Sequence, residues 1–505
     1  MSTPQPDEDT DHTAMSKSKL HQSRSFTDTT TEQISPSSEK PSNDRPKLRT
    51  FSYSFWSPEI AGLRRAYLKI VVPVVVMIVV LMWITLPIYW GSLASSAKHT
   101  HNLEAWIVDR DGGQLGQAIT QTFLSTSGPL SLGWRSISPA EAGTDADVAI
   151  TIAEEKAWIA VVVEPNVSAR LTLARQTGDK TYNPASAINV YYAQARNEIA
   201  ANNFLVPIAT QLLTGVTQRF AASSFASFLQ SEGLVGNATA LGLFVQAPAT
   251  VVPGVSWTMN NLRPYTAPVA QAVTLVGQIY ICIFAFITTM VHSAARPILE
   301  PYLTLRSYIR LRALVPLILY IPLSLFYSMV SLPFHLPFGT KFGTGGFFIF
   351  WAYIYLGMLA LGLALESMIT LLTARFVPFF LVLWIIANIS SAVIPAELQP
   401  AIYKYGLGFP VWNMEQAIRC IIFNTANHLG RNAGILIGWI AISFISLIFF
   451  CWFARKSGHH DVSSAPRGGH GPPPPPPPPT EGGMDADSLH DGGNEKHRLG
   501  KGDEP

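Results

Sequence analysis

The chain has 505 residues, 48% of them hydrophobic and 13% charged, with a mean hydropathy of +0.24. That average is too apolar for a soluble protein of this length and points to the membrane class. The formal net charge of +2 says little by itself; where Lys and Arg fall says more.

The first 50 residues are polar and rich in Ser, Thr and Pro, the composition of a disordered tail. Residues 51–93 hold a juxtamembrane segment and a first span, Leu68–Leu93, with no charge between Lys69 and Lys98. This run exceeds the roughly 20 residues a bilayer requires. It also exceeds the ~7–15-residue apolar core of a signal peptide and follows a long polar stretch, so it reads as an uncleaved signal anchor.

Residues 94–268 read as an α/β domain. Strands are expected at Glu104–Val108, near Trp134–Ile137, over Ala157–Val163 and over Ala187–Tyr192. Helices are expected over Gln114–Leu124, Asp145–Lys156 and Ser168–Arg175, with a long amphipathic one over Asn203–Gln230. This alternation favours a mixed or parallel sheet covered by helices. After Gly233 the prolines 248, 253, 264 and 268 suggest an extended run into the membrane. Asp109-Arg110-Asp111-Gly112-Gly113 has the start of a calcium loop but lacks its distal glutamate, so it reads as a strand-to-helix turn. The domain contains no cysteine and must fold on its own core, without disulfides.

Five further spans are expected at 269–291, 313–332, 346–370, 376–394 and 433–454, within a bundle covering 269–455. Lipid gives backbone groups no partners, so all six runs must be helices. Lys47, Arg49, Arg64, Arg65 and Lys69 precede the first span; Arg296, Arg306, Arg310 and Arg312 lie between the second and third. Arg375 lies between the fourth and fifth, and Arg455 and Lys456 follow the sixth. All fall on one side if both termini are cytosolic. The domain is then extracytosolic, as are the glycosylation acceptors Asn166 and Asn237.

The sequence carries no phosphate-binding loop, no His-Glu-x-x-His, no Cys-x-x-Cys and no Gly-x-Ser-x-Gly. Neither an enzyme nor a metal or cofactor is expected, and any uphill transport would draw on a gradient or a partner.

One span, a large domain and five spans is the plan of the bacterial phage-infection-protein group, whose membrane half resembles that of type-2 ABC exporters. The residues resemble more narrowly the fungal nitrosoguanidine-resistance family. The matching segments are Phe55-Trp56-Ser57-Pro58-Glu59, Ala105–Asp109, Asn189–Asn197 and Gly362–Glu366. They continue through Asn388-Ile389-Ser390, Tyr403-Lys404-Tyr405-Gly406, Pro410–Asn413, Ile422–Thr425 and Leu429–Gly434. The resemblance covers about residues 51–455 and implies an export permease for a toxic alkylating compound. The exporter plan pairs two membrane halves, which implies a homodimer.

Glu366 stands inside the fourth span, where a carboxylate costs several kcal/mol unless it faces protein or water. It is a candidate for a transport path; the alternative is a side chain that snorkels to the interface or pairs with Arg375. Asn388, Ser390 and Ser391 in the fifth span either line that path or bond a neighbouring helix. Tyr405 and Asn413 join the candidates from the loop 395–432. That loop has helical spacing through Val411, Met414, Ile418 and Ile422, which suits an interfacial helix capping the bundle, or a gate. His335 and Lys341 read as ordinary loop residues.

The tail 456–505 reads as disordered and includes eight consecutive prolines at 472–479. These would form a polyproline rod of about 25 Å, a spacer or a ligand for an SH3-like or profilin-like partner. The expected protein is a multi-pass plasma-membrane permease that exports small amphipathic compounds or redistributes lipid. Its alternative is a non-transporting regulator of membrane lipid organisation. The bilayer is the expected partner, and nucleic acid is not.

Overall fold

The computed structural model describes residues 52–231 and 238–463. The tails, including the proline run, and Asn237 lie outside the described residues. The chain divides into two units, the first ending at Val74 and the second beginning at Val75. In the first, Arg64 donates to the Phe55 carbonyl at 2.8 Å. Its guanidinium also lies 5.9 and 5.7 Å from the rings of Phe55 and Trp56. Helix α1 (Ala61–Leu93) buries only Thr85 and Ser92, consistent with an apolar surface facing lipid.

In the second unit the sheet forms first. Its strands are β1 (Glu104–Asp109), β2 (Gly133–Ile137), β3 (Ile159–Val163), β4 (Ile188–Tyr192) and β5 (Trp257–Asn261), in the order β2-β1-β3-β4-β5. β1 runs parallel to β2 and β3, β3 antiparallel to β4, and β4 parallel to β5. β3 is buried along its whole length, as its unbroken Ile-Ala-Val-Val-Val requires. Alternate residues go to opposite faces. Ile107, Ile159, Val161 and Val190 join one core; Val108, Ala160, Val162 and Tyr191 join another.

Helices α2 (Gln114–Ser125), α3 (Asp145–Ala153), α4 (Val167–Thr177) and α5 (Val206–Ser231) cover the sheet. α3 starts at a capping box between Thr144 and Asp147. The turn after β1 is filled by its own backbone: Asp109 Oδ1 accepts from the amides of Asp111 and Gly112. Asp111 accepts from the amide and hydroxyl of Ser168. The run after Gly233 is not extended as expected. It holds helix α6 (Ala238–Gln246) and the edge strand β5, whose Trp-Thr-Met-Asn-Asn offers only Trp257 and Met259 to the core.

Six helical stretches among the described residues are long and apolar enough to cross a membrane. They are Pro58–Lys98, Glu198–Gln230, Pro268–Ile298, Leu305–Met329, Gly339–Ser390 and Leu429–Lys456. One departs from the sequence reading, and one joins two expected spans. Glu198–Gln230 contains α5, which lays Leu213, Val216 and Phe220 against the same core as β1 and β3. Gly339–Ser390, at 52 residues, is long enough for two crossings. Its main helix α9 (Gly346–Ser390) breaks at Thr373, where φ is 63° and ψ 162°. With α7 (Gly277–Ala295), α8 (Leu305–Met329) and α11 (Leu429–Ser463), α9 builds the bundle.

The core facing α2, α4 and α5 runs without interruption into that bundle, from Leu103 and Ile107 through Ile281, Tyr320 and Phe350 to Leu436. Between the two lies α10 (Pro410–Phe423), in which all but Trp412 and Gln416 are buried. The sequence reading made α10 a surface-lying cap. Such a helix keeps one face wet, whereas α10 is surrounded by α9, α11 and the chain leading into α7.

Candidate functional site

Three places concentrate polar chemistry. The first surrounds Glu366, which has no exposed surface. Its Oε1 accepts from Arg312 Nε at 2.8 Å and from Arg296 Nη1 at 3.2 Å. Arg312 also donates to the Glu366 carbonyl, to Thr370 and to Cys451 Sγ. α8, α9 and the turn that follows α7 are therefore tied through one carboxylate, and Arg312 extends the link to α11 through Cys451. Glu366 Oε2 and the nearby His292 Nε2 are buried without a partner. The alternative of a pair with Arg375 does not form: that guanidinium lies over Phe376 at 5.7 Å. Arg296 and Arg312, which the sequence showed only as loop charges, are the residues that reasoning missed.

The second gathers the other five path candidates at the end of α9. Asn388 donates to the Trp384 carbonyl at 2.9 Å and accepts from the Val411 amide at 3.3 Å, so it caps the start of α10. The hydroxyls of Ser390 and Ser391 bond carbonyls of their own helix. Tyr405 donates to the Ala387 carbonyl at 2.8 Å, and Asn413 donates to the carbonyls of Leu407 and Phe409. These bonds fold the loop back onto the helix end. A cavity of about 10 Å³ lies beside Asn388, between Gln278, Cys282 and Trp384. That is at the limit of a single water molecule.

The third is the junction of sheet domain and bundle. On α10, Arg419 holds Glu415 through Nε at 3.0 Å and Nη2 at 2.7 Å. Its Nη1 reaches Glu198 and the Ala195 carbonyl in the sheet domain. Burial pushes Glu415 up to about 7, against the pull of Arg419. Other links join the same two parts: Arg263 donates to the Asn424 carbonyl at 2.6 Å, and the Tyr265 and Phe423 rings lie 4.6 Å apart. Lys341, read as an ordinary loop residue, donates to the Thr425 carbonyl at 2.8 Å.

Beside this clamp opens a cleft of about 520 Å³. The sheet domain lines it with Glu155, Trp158 and Arg196, and the chain after α9 with Glu397, Gln399, Lys404 and Trp412. Arg196 lies 3.5 Å from the Trp158 ring centroid and 3.7 Å from both Glu155 and Glu397. Burial pulls its guanidinium below the ordinary value while the two carboxylates oppose the shift. Of the two expected glycosylation acceptors, Asn166 is exposed at the start of α4, with φ 56°.

Long apolar helices around an ion cluster and a small sheet docked on them define a multi-pass membrane protein. It belongs to the family described as protein of unknown function DUF3533, whose match covers residues 74–445. It is 23% identical over 458 residues to an uncharacterized endoplasmic reticulum membrane protein of Saccharomyces cerevisiae, covering 82% of this chain and 86% of that one. No solved structure matches.

Proposed function

We propose that this membrane protein is a permease that moves small amphipathic compounds or lipid, and that the conformation described is its closed state. The observation that carries this is Glu366 with Arg296 and Arg312. A buried charge inside spanning helices is costly and is retained where charge handling or switching is needed. This cluster locks one end of the bundle, while the cleft lies at the domain junction. The resemblance to nitrosoguanidine-resistance proteins and type-2 exporters supports the same reading. In it the tails are cytosolic, the sheet domain lies across the membrane carrying glycans at Asn166 and Asn237, and two copies pair. The proline run 472–479 would recruit an SH3-like or profilin-like protein. The yeast relative's description favours the endoplasmic reticulum over the plasma membrane, and imaging of the tagged full chain separates the two.

The test is flux from liposomes holding only the purified full chain, using a fluorescent phosphatidylcholine and a cationic amphipathic dye. Flux above that of protein-free liposomes, lost in a folded Glu366→Gln variant, is expected. Flux equal to the protein-free control under both a proton and a potassium gradient would overturn the permease. A second reading, a non-transporting regulator of lipid organisation, is favoured by the narrowness of the cavity beside Asn388; absent flux with altered lipid order would support it.

A further inference from the structure

We infer that the junction cleft binds a zwitterion, an anionic group and an ammonium joined by a short linker, as in the headgroup of a zwitterionic phospholipid. As cargo this ligand rests on the permease reading; as a bound ligand it does not.

The size is right for a small molecule, since about 520 Å³ falls within the ~300–1,000 Å³ of ligand pockets. The charges select the chemistry. Arg196 and Lys404 face the same space as Glu155 and Glu397. A purely anionic ligand would meet two carboxylates, and a purely cationic one two cations. A dipolar ligand satisfies both.

The charges are also only partly used. Arg196 sits 3.7 Å from each carboxylate, too far for a strong hydrogen bond, and is drawn instead onto Trp158. Glu155 has a second partner in the Ala426 amide at 3.3 Å. Among the described residues the Glu397 side chain is paired only with Arg196, and it is 40% exposed. Lys404 is exposed and has no side-chain partner among the described residues.

A buried group points the same way. Gln399 is 2% exposed and lines the cleft. Its Nε2 donates to the Ser390 carbonyl at 2.6 Å, but its Oε1 has no partner. A buried acceptor left unpaired is costly, and a ligand N–H or hydroxyl would satisfy it. Glu397 suits the ammonium, and Lys404 the anion. The lining segment follows directly on α9, which places the cleft at the end of a membrane-spanning helix, where headgroups lie.

The experiment uses the purified full chain in detergent, with lipid adducts counted by native mass spectrometry. Phosphatidylethanolamine, whose ammonium has the N–H donors that Gln399 Oε1 lacks, should bind at least about fivefold more tightly than phosphatidylglycerol. Lys404→Glu and Glu397→Lys should each weaken it at least about tenfold, and the double exchange should recover part of the loss. Both side chains reach solvent, so melting temperatures near wild type should confirm folding. Equal binding of the two lipids, or single variants that bind like wild type, overturns the proposal. Soluble phosphoethanolamine then distinguishes the source: competition assigns recognition to the headgroup alone, and binding of lipid without competition assigns it to the whole molecule. Normal phosphatidylethanolamine binding without flux keeps the site and ends the permease reading. Flux unaffected by variants that also bind normally does the reverse.

Discussion

The two buried ion clusters are inversions of one another. At Glu366 one carboxylate serves two guanidiniums, whereas at Arg419 one guanidinium serves two carboxylates. In each, the innermost carboxylate engages through Oε1 and leaves Oε2 without a partner. The clusters also differ in what they join. The first ties spanning helices to one another; the second ties the sheet domain to α10. A buried pair adds little net stability but is expensive to break, so both are better understood as fixing which surfaces meet. The surplus positive charge lies in and beside the spanning helices, at Arg312 of α8 and Arg296 after α7, and the surplus negative charge lies at the domain junction.

The largest expected effect comes from removing the shared member of the junction. Arg419→Met leaves Glu415 and Glu198 facing each other with no cation and should cost about 3–5 kcal/mol. Thermal melting in detergent, with proteolysis of the released sheet domain, measures it; an unchanged melt would show that the apolar contacts of α10 suffice. Arg312→Met strikes the other cluster, where Arg296 remains to hold Glu366. About 2–3 kcal/mol is expected, lower because the carboxylate keeps one partner. A loss as large as that at Arg419 would mean that Arg296 contributes nothing.

The clusters should also differ in pH response. Burial raises Glu415 from 4.5 to about 7. Between those values the folded chain holds a proton that the unfolded chain has released. Stability from this group is then greatest below pH 4.5 and falls as pH rises toward 7. Melting temperature followed from pH 4.5 to 7.5 should decline, and Glu415→Gln should flatten the decline; an equally steep slope in the variant would remove Glu415 as its source. The smallest effect is expected outside both clusters. A Cβ at Gly406 would lie 2.2 Å from that of Ser391, so Gly406→Ala should cost about 1–3 kcal/mol and leave the pH slope unchanged.

Much of this architecture is local information. Runs of apolar residues announce the spans because bilayer thickness sets their length, and the β-branched stretch 159–163 announces the central strand. Thr144 and Asp147 mark the start of α3 by a capping pattern four residues long. β5 was harder to read because it offers only Trp257 and Met259 to the core and ends in two asparagines, so its place rests largely on pairing with β4. For the candidate site, Glu366 stood out as a charge in an apolar run, but its partners did not. Arg312 and Arg296 lie 54 and 70 residues away in sequence, and Glu198 lies 221 from Arg419. The cleft was equally hidden, although the quoted segments Asn189–Asn197, Tyr403–Gly406 and Pro410–Asn413 all contribute to its walls through Arg196, Lys404 and Trp412.

The sequence by itself determined that this is a helical membrane protein with a small sheet, because hydropathy and strand alternation are properties of contiguous residues. Only the tertiary structure decided that α10 is buried and not a surface cap, and that Glu366 answers to Arg312 and not to Arg375. It alone showed that the sheet domain shares one core with the bundle. Those outcomes depend on which distant surfaces pack together, and packing is decided by the whole set of helices competing for the same space.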